Sequence, residues 1–554
     1  MHLVFLPCIE ILGSASLLRR VLGRCALACL LAAFGCRGSS SEPRGKILNV
    51  GNRSEVQDLD PHLVTGIAEF RALGALFEGL VNLDPASLKP IPAVAERWEV
   101  SADGLHYRFY LRENARWSNG DPVTAEDFVY AWQRMLSPAL GAEYAYLLHC
   151  LKNAKDFNEG RLQDFSEVGV KAVSPHLLDV FLENPVPYFL SMQIHFAWFP
   201  VHRGTIERFG SMTQRGSPWT RPENHVGNGP FRVTAWKPDE VLAVERNPYY
   251  WDAARVRLDG VRFYPISNEL TEERLFRSGR LHITYTVPMF RIDAYRREQP
   301  NVLQIHPYLQ SYFYRFNVTR APFQDERVRQ AFSYAIDRKA LAEEVWKAGE
   351  QPAYCLTPPN TNGYTCRTRV PYDPERAQQL LAAAGFPEGK GFPHVQLLYN
   401  TAETDRIVAE AVQQMWRRTL GVQVELVNQE YKVYLSSMSN LEYDIARSTW
   451  LGDVYDPVNF LECFLSTSGN NRTGFASPEF DAYIEQAYKA TDAAVREEAL
   501  QQAESMLLTH AVIAPVAFMT QKFLMAENVR GYAPNLLGYF AWRDMDIATE
   551  FTNP

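Results

Sequence analysis

Cysteine is scarce in this 554-residue chain, which has only eight. After Cys36 the only ones are Cys150, Cys355, Cys366 and Cys463, and no Cys-x-x-Cys pair offers the spacing of a zinc or thiol-redox site. The twelve histidines are scattered singly and no His-Glu-x-x-His occurs, so no metal is expected and each histidine reads as structural. No Gly-x-Ser-x-Gly elbow is present. Gly385 to Lys390, Gly-Phe-Pro-Glu-Gly-Lys, lacks the P-loop spacing, which argues against ATP hydrolysis by this chain. The expectation is a protein that is not an enzyme and carries no cofactor. Basic residues are not in excess: 56 Lys and Arg face 64 Asp and Glu, a net charge of −8, so no basic face points to nucleic acid. Tandem repeats, low-complexity segments and long charge runs are also missing, and the apolar run Ala26 to Phe34 is too short to span a bilayer.

What remains is 46% hydrophobic and 22% charged, the composition of a soluble globular protein with ample core, long enough for two or three domains. Arg19, Arg20 and Arg24 precede the short apolar run, which ends at Gly35-Cys36, and the order reads as a cleaved lipoprotein export signal over residues 1–36. Cys36 is the favoured lipidation site because a polar tether, 37–45, follows it; Cys29, after Ala26-Leu27-Ala28, is the alternative. Export permits disulfides. Cys355 and Cys366 flank a Pro-Pro-Asn-Thr-Asn-Gly loop that could bring them together, and a local bridge between them is one of two open readings, the other being a pair of thiols. Cys150 and Cys463 read as buried thiols.

Local pattern is clear in several stretches. Tyr107, Phe109 and Leu111 alternate with Arg108, Tyr110 and Arg112, the period of a half-buried strand. Asn119-Gly120 then supplies a turn, and Thr124 opens Thr-x-x-Asp, an N-cap with an acid in the first helical turn. Further on, Asp373-Pro374 predicts a helix through Leu381 that stops at Gly385, and Val395, Leu397 and Leu398 predict a strand. A second helix is predicted from about Thr404 to Arg418, followed by a strand at Val422, Val424 and Leu426. That strand-helix-strand rhythm argues for a mixed or parallel sheet.

The block from Trp98 to Phe128, with Trp117-Ser118-Asn119-Gly120-Asp121-Pro122 at its centre, resembles the signature of the peptide-binding proteins that feed ABC importers, the extracellular solute-binding proteins of family 5. Leu59-Asp60-Pro61-His62, Leu76-Phe77-Glu78-Gly79-Leu80, Asn184-Pro185-Val186-Pro187, Gly227-Asn228-Gly229-Pro230-Phe231, Glu245-Arg246-Asn247-Pro248-Tyr249-Tyr250-Trp251, Ala321-Pro322-Phe323 and Tyr372-Asp373-Pro374 follow in the family's order. The resemblance implies an α/β, two-lobed fold of the type II periplasmic-binding-protein kind with an additional third domain. Lobe I would comprise 46–80, 199–305 and 514–554, domain II 81–198, and lobe III 306–513. The chain would cross between lobes near His306 and again near Val516, forming a hinge.

The resemblance also assigns a site. Tyr443 to Asp453 is similar to the family's ligand strand, with Asp453 placed to hold a peptide's α-ammonium and Arg447 to meet the carboxylate of a tripeptide. An extended chain advances about 3.3 Å per residue, so opposite charges a few residues apart can bracket such a zwitterion. Gly66 and Ile67 would offer backbone on one wall, and Ser448, Thr449, Trp450, Leu451 and Gly452 on the other, holding the ligand as an added strand. Tyr431, Phe313 and Trp450 match aromatic pocket positions. Without the resemblance, Asp453 is a loop carboxylate, Arg447 a surface or ion-paired strand residue, and the aromatics ordinary core.

Two departures stand out. Trp346 and Asp405 occupy positions where an oligopeptide binder has Lys and His for the carboxylates of longer peptides, so long peptides are expected to bind differently or poorly. Met438 stands where murein-tripeptide binders carry Arg. The implied role is an extracytoplasmic receptor, periplasmic or at the cell surface, anchored to a bacterial membrane by lipid and acting as a monomer. It would deliver short peptides to an ABC permease and its ATPase subunits. Other members of the fold hold dipeptides, murein peptides, nickel chelates, haem or oligosaccharides, and a peptide sensor or chaperone working without a permease is a further alternative.

Overall fold

The strand-forming alternation at 107–111 is realised as a strand, His106–Leu111, with Tyr107, Phe109 and Leu111 buried and their neighbours half-buried. The turn after it has Gly120 at φ +95°, in the region that favours glycine, with the Tyr249 ring 3.5 Å from where a Cβ would stand. Thr124 and Asp127 then form a reciprocal capping box at the start of the helix Ala125–Leu136, the Thr124 N–H donating to Asp127 at 2.7 Å. These observations come from a computed structural model that describes residues 45–548, the side chains of Glu403 and Lys432 excepted. The expected signal segment with Cys36 and Cys29, the tether up to Arg44, and residues 549–554 lie outside the described residues.

Three main sheets organise the described chain. In the first, Ile47–Gly51 runs parallel to Gly260–Tyr264, and Val241–Arg246 and Phe231–Lys237 continue it antiparallel. The second is wholly antiparallel, in the order Ala95–Val100, His106–Leu111, Leu177–Phe181, Val170–Ser174. These two share one continuous apolar core that includes Leu48, Val50, Phe109, Trp132, Trp198 and Phe263. The third sheet has six strands and is mixed. Its centre is β1 (Leu303–Phe316), which pairs antiparallel with β2 (Ile445–Leu451) on one side and with β3 (Ile513–Leu524) on the other. Beyond β2, Val395–Asn400 and Val424–Gln429 add parallel strands, and Gln351–Pro352 closes the other edge.

Two of the helices that cover this third sheet are ones the sequence predicts. Pro374–Ala383 is capped by the Asp373 carboxylate, which accepts from the Arg376 N–H at 2.9 Å, and Glu403–Leu420 ends at Gly421, φ +69°. One face of the sheet buries Tyr312, Tyr314, Trp346, Val412 and Trp416; the other buries Phe313, Phe460, Phe464, Phe480 and Leu507. Full burial of each such large side chain contributes on the order of 1.5–3 kcal/mol. The Trp416 indole also finds a polar partner, donating to the Phe332 carbonyl at 2.8 Å.

The β1–β3 ladder shifts register at two places, between Tyr312 and Phe313 and, more widely, between Pro307 and Ser311. Leu303 to Pro307 pair with Leu524 to Thr520, and pairing resumes only at Ser311 opposite Phe518, so Tyr308, Leu309 and Gln310 face a single residue, Met519. The lower segment joins the first sheet's neighbourhood, since the Thr284 N–H donates to the Leu524 carbonyl at 2.9 Å and Ile283 bridges both Val50 and Met525. A bulge re-aims the chain, and this one turns Tyr308 toward a cleft. Leu309 ties two other segments together, accepting from the Gly452 N–H at 2.8 Å and donating to the Leu536 carbonyl at 2.7 Å. No helix among the described residues is long and apolar enough to cross a membrane.

Candidate functional site

Asp453 is positioned by its own main chain. Gly452 sits so close to the bulge that a Cβ there would lie 2.6 Å from Leu309 Cδ2, so only glycine fits without displacement. One residue on, Asn459 Oδ1 accepts both the Asp453 N–H, at 2.9 Å, and the Trp450 indole N–H, at 3.2 Å. These bonds fix the turn that carries the Asp453 carboxylate into a cleft enclosing about 910 Å³, open mouth included.

The Asp453 carboxylate has no hydrogen-bond or ion-pair partner among the described residues. Burial, and then the neighbouring Glu462, push its carboxyl up to about 7. Glu462 itself is satisfied, accepting from the Tyr488 hydroxyl at 2.6 Å and from Asn459 at 3.0 Å. This end of the cleft is therefore an electronegative place with no cation of its own. His195, on the facing wall, does not supply one, because burial lowers it to about 3 and keeps the ring neutral.

Several further segments close the cleft. Thr65, Gly66 and Ile67 form one wall, with Gly66 as the uncapped N-cap of the helix Ile67–Leu76 and Ile67 40% exposed. Tyr144, Ile194 and Phe196 come from the part of the chain that carries the second sheet. Arg71, Tyr285, Tyr308, Gln521, Phe523 and Phe540 complete the lining beside Leu451 and Gly452.

β2 has a free edge above Asp453. Val395–Asn400 pairs with it only at Ile445 and Ala446, so from Arg447 onward one side of β2 has no neighbouring strand among the described residues. Main-chain groups alternate between the two sides of an antiparallel strand. Gly452 donates toward β1, so the alternation turns the N–H and C=O of Thr449 and Leu451 to the open side. The Arg447 carbonyl, also on that side, is already taken by the Tyr434 hydroxyl.

At the other end of β2 the charge is already balanced. Arg447 Nε lies 3.0 Å from Asp405 Oδ1, the guanidinium reaches Asn400 Oδ1 at 3.1 Å, and it stacks 5.0 Å from the centre of the Tyr312 ring. Both partners are largely buried, with side-chain exposures of 16% and 7%. Burial works against the Arg447 charge, but Tyr312 and Asp405 hold its pKa above the usual arginine value. Burial raises the Asp405 carboxyl and the Arg447 charge pulls it back, and the contact between them is that of an ion pair.

Comparison with known proteins settles the family. The family description "Bacterial extracellular solute-binding proteins, family 5 Middle" matches residues 89–472, more than half of the chain. The chain belongs to the extracellular solute-binding proteins of family 5. It is 39% identical over 490 residues to the periplasmic oligopeptide-binding protein OppA of Salmonella typhimurium, covering 87% of this chain and 88% of that protein. It is also 36% identical to the dipeptide-binding protein DppE of Bacillus subtilis over 510 residues, 90% and 92% of the two chains. Among solved structures it is similar to the murein tripeptide binding protein MppA of Escherichia coli. The TM-score there is 0.79 at 34% identity, over 92% of this chain and 99% of that one. Family 5 consists of solute-binding proteins of transporters rather than enzymes, and the two-lobed mixed α/β architecture is that of the family's solved structures.

Within this family 5 chain the residues singled out from sequence divide into groups. Gly66, Ile67, Leu451, Gly452 and Asp453 line one cleft. Arg447 and Asp405 lie outside that lining and bond each other. Thr449 is half-buried, while Ser448 is buried, its hydroxyl accepting from Arg315 Nε at 2.9 Å, and Trp450 packs toward the Phe313 side of the sheet. Phe313 and Trp346 are core residues here, 1% and 2% exposed, because they sit on opposite faces of the six-stranded sheet beneath its helices. Tyr431 is 55% exposed and stacks on Tyr434 with ring centres 6.2 Å apart. Met438 is buried against Tyr434 and Tyr443.

Cys355 and Cys366 are adjacent, buried and free, so no bridge is formed in the structure. Their sulfurs and a Glu504 oxygen lie within 4.8 Å of one another. Glu504 is already saturated, accepting from Leu356 N, Thr357 N, Thr357 Oγ1 and Tyr364 Oη at 2.8–2.9 Å, which leaves no lone pair aimed at a cation. Cys150 and Cys463 are also free thiols. Sequence reasoning missed Asn459, Arg71, Tyr144 and Tyr308, none of which carries a local pattern that distinguishes it from packing.

Proposed function

We propose that this chain is a receptor for short peptides: it holds the ligand's α-ammonium on Asp453 and its main chain along the open edge of β2. The observation that carries this reading is the unpartnered Asp453 carboxylate in the cleft, directly beside strand groups of Thr449 and Leu451 that face no other strand. An ammonium arriving there supplies the one charge this end of the cleft lacks. Main-chain pairing along a strand edge is indifferent to side-chain identity, which suits a receptor for mixed sequences. The relatives named for oligopeptide, dipeptide and murein tripeptide binding support the same class.

The C-terminal end of the ligand is treated differently. Asp405 balances Arg447 internally, so a tripeptide carboxylate meets a guanidinium that already has a partner, and no fixed receptor marks the third residue. Closure of the two lobes about the broken β1–β3 ladder buries the ligand and strengthens the Asp453 contact by excluding water. The receptor is anchored through Cys36 to a bacterial membrane and delivers its cargo to an ABC permease with separate ATPase subunits.

The test is native mass spectrometry of a form lacking residues through Cys36, purified without refolding, with fragmentation of whatever is bound. A set of mixed peptides of about two to five residues is the expected result. A single non-peptide mass, or an empty site that stays empty with added tripeptide, overturns the reading.

A further inference from the structure

Arg71 is a buried cation with no anion. It is 8% exposed and lies on the helix Ile67–Leu76, on the lining of the same cleft as Asp453. One guanidinium nitrogen donates to the Gly51 carbonyl at 2.9 Å, Nε has no partner, and no carboxylate of the described residues comes within ion-pair distance of the group. Glu272, an acid whose charge is felt at Arg71, is committed elsewhere, accepting from the Tyr285 N–H at 2.8 Å and the Thr286 N–H at 3.4 Å. Aromatic rings cushion the guanidinium, with Phe540 at 4.9 Å and Tyr285 at 5.6 Å from its centre, and Arg53 also lies over the Tyr285 ring at 5.4 Å.

A charge held out of water without a counter-ion is costly, and rings only partly offset that cost. An arginine fork with an unused Nε is a ready receptor for a planar carboxylate. Resting on the peptide-receptor reading above, we propose that Arg71 binds a carboxylate of the ligand while Asp453 holds its ammonium, so that the receptor favours peptides carrying a negative charge close to their amino terminus. The carboxylate comes either from an acidic side chain at the first or second residue or from the C-terminus of a dipeptide. The two sources share one chemistry and are separated by experiment.

The measurement is calorimetric affinity of the wild-type protein for Ala-Glu-Ala against Ala-Gln-Ala, Glu-Ala-Ala against Gln-Ala-Ala, and Ala-Ala against its C-terminal amide. A preference of tenfold or more for the charged member of at least one pair is expected, and the pair that shows it identifies the source. Arg71→Gln should bring that ratio close to one, and Arg71→Lys should retain part of it. Equal affinities within every wild-type pair, with peptides still bound, overturn the role of Arg71 and leave the peptide reading intact. Failure of all six ligands to bind overturns both. Because the wild-type comparison needs no variant, misfolding of Arg71→Gln does not shelter the proposal.

Discussion

The two ends of β2 carry opposite charges in opposite conditions. At Asp453 a half-buried carboxylate has no partner among the described residues and is driven up to about 7. At Arg447 a guanidinium is buried with Asp405 at 3.0 Å, an amide oxygen and an aromatic face around it. A receptor that demanded a zwitterion of fixed length would leave both ends unsatisfied until the ligand arrived. Here only the ammonium end waits. The difference assigns the work of recognition to the amino terminus and leaves the far end permissive.

The largest expected effect tests the waiting end. Asp453→Asn removes the anion, and loss of one partner of a desolvated charge pair costs about 2–5 kcal/mol. Tripeptide affinity should fall by on the order of thirtyfold or more, and an unchanged dissociation constant by calorimetry would sink the assignment. The same group sets a pH dependence. In the empty protein its carboxyl is raised from an ordinary 3.8 to about 7, so between those values the folded state holds a proton that the unfolded chain releases. The contribution of this group to stability is therefore present below 3.8 and is lost as pH rises toward 7. Asp453→Asn should melt above the ligand-free wild type at pH 8, with the gap narrowing as pH falls. Peptide affinity of the wild type should weaken below pH 7, and binding near pH 6 should release a proton, visible as a buffer-dependent heat.

The balanced end predicts a smaller effect on binding, with a reversed sign. Asp405→Asn strips Arg447 of its counter-ion, and breaking a buried pair costs about 3–5 kcal/mol of stability. The low end of that range is expected because Asn400 and Tyr312 still meet the guanidinium. The freed Arg447 then becomes a carboxylate receptor. Wild type should bind a tripeptide and its C-terminal amide about equally, whereas the variant should prefer the free acid by about tenfold. A wild-type protein that already discriminates strongly against the amide would show that Asp405 does not mask Arg447.

The contrast also shows what the residues alone disclosed. Period and capping made the strand at 106–111, the helix at Pro374–Ala383 and the parallel strands beyond it legible, because those signals are local. The ordered motifs disclosed the family, and the resemblance singled out Asp453, Gly452 and Gly66, which line one cleft. Asp405 was visible as an anomaly, but its partner was not, since Asp405 and Arg447 are 42 positions apart and meet only through the packing of Glu403–Leu420 on the sheet. Phe313 and Trp346 look alike as aromatics in sequence, and only the sheet decides that both are core. Asn317 and Asn471, each two residues before a threonine, serve the backbone. Each side-chain oxygen accepts from the threonine hydroxyl two residues on at 2.7 Å, while the amide donates to main-chain carbonyls, that of Asn317 to Tyr443 and that of Asn471 to Phe475.

The smallest predicted effect asks where the ligand ladder ends. The Tyr434 hydroxyl occupies the Arg447 carbonyl, so a bound peptide can pair with Leu451 and Thr449 but finds the next acceptor taken. Tyr434→Phe frees that carbonyl, and one added main-chain bond is worth about 0.5–1.5 kcal/mol net. Tripeptides, which end before that point, should bind as before, whereas tetrapeptides and longer should gain up to about tenfold. Tyr431→Ala is the matched control: it removes a largely exposed ring that only stacks on Tyr434 and should change either affinity by no more than about 0.5 kcal/mol. Equal gains for short and long peptides in Tyr434→Phe would mean that the ligand runs along β2 in a different register from the one Asp453 dictates.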